Sequence, residues 1–356
     1  MRNARALWAA IAVAFAIGML AGCTTTPNTG GISPGASADA GPKRPVKVLI
    51  ITMFKPEADA WTKEMPFTDE IRLPGLSPDF PAVKCTAADV CILTTGMGHT
   101  NAAASTMALV MSNRFDLSQT YFLVTGISGI DPNVGTIGSA AWARYLVDYG
   151  IAHEIDAREM PATWQAGYFG IHAANPETKP ELNYRTEVFQ LDERLLQKAL
   201  KITGNVQLRD NDKAKAYRAL YSEAPAKNPP AVIQCDTAAG DTYWHGRQLG
   251  QWAEAWTRLL TDGKGRYCTT QQEDNATYEA LKRGAAAGLL DVRRVAVLRT
   301  GSNFDRPHDG QSAYESLKTS SGGFTAATAN LYVVGSPLVQ EIVSNWPTWR
   351  LGVPGD

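Results

Sequence analysis

The sequence predicts an α/β domain with a largely parallel or mixed sheet, and three observations carry that expectation. Short apolar runs rich in β-branched residues recur along the chain and end in small or polar residues, as strands buried on both faces do. Segments with helical spacing of apolar residues lie between them, so strand and helix alternate. The third is composition. A hydrophobic fraction of 44% with a mean hydropathy of -0.19 suits a buried core and leaves, past the N-terminus, no stretch long enough to cross a bilayer.

The chain opens on Met1-Arg2-Asn3-Ala4-Arg5, two positive charges and no acid, followed by an apolar run from Ala6 to Leu20. This is the pattern of a secretory signal, and the run falls short of the roughly 20 residues of a membrane span. It meets Leu20-Ala21-Gly22-Cys23, which resembles the lipobox of bacterial lipoproteins. The resemblance implies removal of residues 1–22, a diacylglycerol on Cys23 and, because uncharged Thr24 follows, the periplasmic side of the outer membrane. Residues 23–45 are rich in Thr, Pro, Gly, Ser and Ala and read as a flexible tether. The domain is expected over 46–356, about 310 residues, within the reach of one α/β unit.

Strands are expected at 46–52, 90–95, 121–125, 140–147, 231–236 and 295–300, and helices at 101–112, 192–202, 246–260, 278–289 and 338–346. Polar, Pro-containing segments at 152–180 and 203–230 read as loops or insertions over a site. Formal net charge is -1, which gives no bulk attraction to nucleic acid or to anionic lipid. With Cys23 assigned to the anchor, Cys85, Cys91, Cys235 and Cys268 remain, an even number for an oxidising compartment. The short spacing of Cys85 and Cys91 suits a hairpin; Cys235 and Cys268 are the second candidate pair, with the connectivity left open. No metal site is expected, since no Cys-x-x-Cys or His cluster exists.

In such sheets ligands gather at the carboxyl ends of strands, and the unusual residues sit there. The strand at 90–95 runs into Thr95-Gly96-Met97-Gly98, a glycine turn that opens a helix and brings backbone N–H groups close to a ligand. The next strand leads into Gly126-Ile127-Ser128-Gly129, read as a second turn of the same type. Further on come Ala239-Gly240-Asp241-Thr242-Tyr243-Trp244-His245-Gly246, Gln272-Glu273-Asp274-Asn275-Ala276 and Arg299-Thr300-Gly301-Ser302-Asn303. Together and in this order, these segments resemble the nucleoside phosphorylase and nucleosidase superfamily, and most closely its purine nucleoside permease family of bacteria and fungi.

That resemblance implies a three-layer αβα sandwich with a mixed central sheet, acting on purine nucleosides by cleaving the N-glycosidic bond. Thr95, Gly96 and Met97 would hold ribose, with Glu273 accepting hydrogen bonds from its hydroxyls. Gly126, Ser128, Gly129, Asp241, Tyr243, Trp244, His245 and Ser302 would surround the base. Asn303 stands where most relatives have an aspartic acid that protonates the leaving purine. An amide donates a hydrogen bond but is no strong acid, so Ser302 is expected to orient Asn303 and Asp305 or His308 to supply the proton. Thr52-Met53-Phe54-Lys55-Pro56-Glu57-Ala58 is similar to the start of hydrolytic nucleosidases, which makes Glu57 the expected base that polarises water. Lys55 complicates this, because its ammonium could pair with phosphate or with Glu57. No cofactor is expected, and phosphate stays open as a co-substrate. Purine nucleosides are the expected partners, the membrane is touched only through the lipid anchor, nucleic acid is excluded, and a homo-oligomer is left open. The family's name adds a second reading, a non-catalytic nucleoside-binding component of uptake that delivers ligand to a separate channel, since past the N-terminus no stretch is long enough to cross a bilayer and a permease made of this chain alone is not expected.

Overall fold

The computed structural model describes residues 42–355. The expected signal over 1–22, the Cys23 lipidation site and most of the tether lie outside the described residues. Residues 44–45, expected within the tether, are strand instead: Arg44–Pro45 pairs in parallel with Phe115–Asp116 and Arg44 Nη1 donates to Asp69 at 2.7 Å.

In chain order the elements that build the site are β1 (Val48–Thr52), α1 (Lys55–Thr62), β2 (Val90–Thr94), α2 (His99–Met111), β3 (Tyr121–Ile130), β4 (Tyr145–Asp148), β5 (Asp236–Ala239), α3 (Arg247–Leu260), β6 (Tyr267–Gln271), α4 (Asp274–Ala286), β7 (Val295–Phe304) and α5 (Gly323–Ser344). The sheet runs β4-β5-β6-β3-β1-β2, and β7 lies in parallel along the whole of β3. Pairing is parallel except for β6 against β3, for Ala140–Trp142 against β7 and for the strands at the two edges, so the sheet is mixed. Alternation along β1 shows why both faces are covered. Val48 and Ile50 pack with Trp61, Leu195 and Leu338, whereas Leu49 and Ile51 pack with Leu109, Val110 and Leu281. Helices therefore sit on both sides, in three layers.

Several expected boundaries move, each for a physical reason. β3 runs on to Ile130 and β7 to Phe304, so the glycine-containing stretch at 126–129 is strand and not a turn. Gly and Ser have low strand propensity, yet pairing with β7 holds them, through a register shift between Gly301 and Asn303. The run at 140–147 is two strands, Ala140–Trp142 against β7 and β4 against β5. The run at 231–236 likewise divides, into Val232–Gln234 and β5. β6 has no counterpart among the expected strands, because Tyr-Cys-Thr-Thr-Gln is too polar to read as one. α5 begins well before Leu338; Pro337, which reads as a breaker, lies inside it. The segments 152–180 and 203–230 contain a short pairing of Ala152–Glu154 with Tyr168–Gly170 and the helices Asp212–Arg218 and Ala224–Lys227. Cys85 is bonded to Cys91, with Cα atoms 4.0 Å apart, and Cys235 to Cys268, 5.8 Å apart.

Candidate functional site

A cavity of about 440 Å³ opens at the carboxyl ends of β1, β3, β6 and β7, within the usual size of a small-molecule site. Neither 152–180 nor 203–230 lines it; its cover comes instead from 316–322 and from Phe324 at the start of α5.

Its centre is Arg299, which is 1% exposed on β7 opposite Gly126 of β3. A Cβ at Gly126 would lie 2.6 Å from Arg299 Nη1 and 2.6 Å from Glu57 Oε1, so glycine makes room for both groups. The guanidinium donates from Nε to Asp274 at 3.1 Å, from Nη1 to the Ile127 carbonyl at 3.1 Å, and from Nη2 to Gln271 at 3.2 Å and Glu273 at 3.3 Å. Arg299 belongs to a recognised sequence segment but was not among the expected site residues. A lone cation inside an apolar strand run is the signal that marks it.

Glu57 lies in the first turn of α1 and is 2% exposed. Its Oε2 accepts from the Met53 N–H at 2.8 Å and its Oε1 from the Ile127 N–H at 2.7 Å. Burial pushes its pKa up to about 7, while the charge of Arg299 and these two N–H groups pull the other way. Glu273, just before α4, accepts from the Gly98 N–H at 3.0 Å through Oε1 and from Arg299 through Oε2. The glycine turn thus holds the carboxylate through a backbone donor, and positive φ at Gly96 and Gly98 (86° and 89°) shapes that turn.

Asn303 follows a register shift in β7 between Gly301 and Asn303. Its Oδ1 accepts from Ser302 Oγ at 2.9 Å and from Tyr243 Oη at 3.4 Å, and its Nδ2 donates to the Phe304 carbonyl at 2.9 Å. This network sets the amide orientation and leaves one N–H unused. His245 lines the cavity with no hydrogen bond to either ring nitrogen, and burial lowers its pKa to about 4, so the imidazole is neutral. Trp244 both lines the cavity and packs edge-on against Tyr149, whereas Tyr243 is 61% exposed at the mouth.

The expected groups are only partly brought together. Glu57, Glu273, Met97, Ser128, Gly129, Tyr243, Trp244, His245, Ser302 and Asn303 line one cavity. Thr95 and Gly96 stand behind its wall, with Thr95 Oγ1 donating to the Gly96 carbonyl, and Gly126 lies under the Glu57–Arg299 pair. Asp241 lies outside the lining and accepts from the His99 N–H at 2.7 Å, tying down the start of α2. Asp305 reaches the cavity wall, where its oxygens accept from Arg306 at 2.7 Å and from Tyr267 at 2.7 Å. His308 does not line the cavity, and Lys55 pairs with Asp59 at 2.6 Å, leaving Glu57 without a lysine partner.

The family model described as purine nucleoside permease matches residues 45–354. The chain is 41% identical over 315 residues to a protein of Schizosaccharomyces pombe named a probable purine nucleoside permease, covering 85% of this chain and 90% of that one. It is 40% identical over 306 residues to the purine nucleoside permease of Candida albicans, covering 84% and 75%. Among solved structures it resembles the 5'-methylthioadenosine/S-adenosylhomocysteine nucleosidases of Neisseria meningitidis (TM-score 0.51, 14% identity, 83% of this chain and 99% of that one) and Streptococcus pneumoniae (TM-score 0.50, 15% identity, 83% and 99%). At such identity the likeness is one of fold, and the mixed three-layer sheet is the fold they share. From the sequence match along nearly all of the described residues, the chain belongs to the purine nucleoside permease family.

Proposed function

We propose that the cavity binds a purine nucleoside and hydrolyses its N-glycosidic bond. One observation carries the reading: a buried carboxylate held near neutrality, Glu57, shares a cavity with a second, Glu273, and with the amide of Asn303. In the step proposed, a water oxygen bonds to the anomeric carbon and gives its proton to Glu57. The carbon–nitrogen bond breaks, its electron pair goes to the purine, and the unused N–H of Asn303 hydrogen-bonds the nitrogen where charge gathers. A solvent proton then neutralises the base. Glu273 grips the ribose hydroxyls, and its charge favours the oxocarbenium character of the sugar. Water is favoured over phosphate because the guanidinium of Arg299 is already engaged by Asp274, Glu273, Gln271 and Ile127, while Lys55 turns to Asp59.

Incubating the chain with inosine, guanosine and adenosine, with and without phosphate, tests this. Free ribose and free base at a rate independent of phosphate are expected. Ribose 1-phosphate formed at a phosphate-dependent rate would make the protein a phosphorylase. A second reading, a nucleoside-binding component of uptake, draws on the amide at Asn303, which cannot act as a strong acid, and on the names of the fungal relatives. Tight nucleoside binding with no base release decides for it. For location we propose lipidation at Cys23 and a place on the periplasmic side of the outer membrane, a reading that the two disulfides favour. Membrane association that persists in Cys23→Ser would refute it.

A further inference from the structure

A second cavity of about 240 Å³ lies between α2, α4 and the end of β4, and shares no lining residue with the first. Asn275 lines it, two residues after Glu273. Asn275 is 2% exposed, and its Nδ2 donates to the Thr186 carbonyl at 2.8 Å, which fixes the amide and leaves Oδ1 without a partner. On the same lining, His99 Nε2 is buried without a hydrogen bond. So is Glu279 Oε2, which has only the Lys282 ammonium 3.5 Å away. Asp148 adds a second carboxylate, its Oδ1 accepting from the N–H groups of Gly150 and Ile151. Roughly 90% or more of buried polar groups find a partner, so three orphaned atoms on one lining point to a partner outside the chain.

The lining is rich in acceptors. Arg283, the one lysine or arginine lining it, is engaged by Glu279 at 2.8 Å, so no free guanidinium invites an anion. Among the described residues no three His, Cys, Asp or Glu side chains are close enough to hold a metal ion, which sets a bare metal cation aside. Met107 and Ala103, Ala276 and Ala280 supply an apolar strip beside the acceptors.

We propose that this cavity binds a small primary alkylammonium, whose N–H groups go to Asn275 Oδ1 and to the carboxylates of Asp148 and Glu279, with its carbons against Met107 and the alanines. Isothermal titration of the full chain with butylammonium and with 1,4-diaminobutane should show saturable binding, one per chain. Tetramethylammonium, which has no N–H, should bind about tenfold more weakly or worse. Asn275→Leu and Glu279→Gln should each raise Kd about tenfold. Glu279 is partly exposed, so its variant keeps the test open if Asn275→Leu does not fold, and Glu279→Gln should leave the first cavity's nucleoside affinity unchanged. Absence of saturable amine binding, equal binding of tetramethylammonium, or indifference to both substitutions overturns the proposal.

Discussion

Two buried arginines, Arg299 and Arg306, sit seven positions apart, are 1% and 2% exposed, and each gathers carboxylates, yet they build different things. Arg306 reaches Asp305 at 2.7 Å, Glu254 at 2.8 Å and Asp131 at 3.4 Å, and Tyr267 completes Asp305. Its guanidinium presses on Gly250 of α3, where a Cβ would come within 2.4 Å, so the cluster is a closed bolt between sheet and helix. Around Arg299 the first cavity meets the same chemistry, and Glu57 and Glu273 keep faces toward open space. The difference is access. A buried ion cluster becomes a candidate for chemistry where much of its acceptor capacity faces a ligand-sized void, and acts as a fastener where protein partners take most of it, as around Arg306, where Asp305 touches the cavity wall but is held by Arg306 and Tyr267.

The largest effect that tests this contrast is Arg306→Leu. It leaves Asp305 and Asp131 buried without their counter-charge and should cost about 3–5 kcal/mol in denaturant unfolding, while turnover per folded molecule stays near that of the native protein. A stable variant, or a fully folded one without turnover, breaks the division of labour. Next is Glu57→Gln, which should lower base release by about a hundredfold or more with little change in nucleoside affinity. Because a general base must be ionised, kcat/KM of the native protein should rise with pH through about 7, and the variant should lack that limb. Stability should move the opposite way. A carboxyl whose folded pKa is raised from 4.5 to about 7 contributes stability present below 4.5 and lost as pH rises through 7, so Glu57→Gln should gain on the native protein under alkaline conditions. Glu273→Ala should weaken nucleoside binding about tenfold to a hundredfold, the worth of a hydrogen bond to a charged group, and leave free purine base binding as before. The smallest is Lys55→Ala, at an exposed pair with Asp59, which should shift stability by no more than about 0.5 kcal/mol and leave the phosphate response unchanged.

Much of this was legible in the chain because buried parallel strands announce themselves. The runs at Val48–Thr52 and Val90–Thr94 contain little but apolar residues, and strand and helix alternate at the expected spacing. Glu57, Glu273 and Asn303 lie at the strand ends or just beyond them, but it is the resemblance of their segments to the nucleosidases that singles them out. Legibility failed where neighbours override local preference. Gly126 and Ser128 lie in strand because β7 pairs with them, and Tyr267–Gln271, which lacks an apolar run, is strand because β5 and β3 flank it. The part Arg299 plays depends on Asp274, Gln271 and Ile127 meeting it from three elements, which no local pattern encodes. Asp241 and Asp305 looked like site residues because their segments match, but the contacts that decide their parts are to His99 and Arg306.

The register shift in β7 has a consequence for how variants of this chain should be compared. In a regular strand successive side chains alternate between the two faces, but opposite Gly129 the extra residue suspends that alternation. Ser302 and Asn303 are thereby brought together on the cavity wall, close enough for the hydroxyl to hold the amide. Parity along the strand is reset at this one position. A natural relative that lacks a single residue here would retain every strand and most of its sequence likeness, yet turn the side chain at Asn303 to the opposite face, so a one-residue gap in an alignment would hide an inverted site.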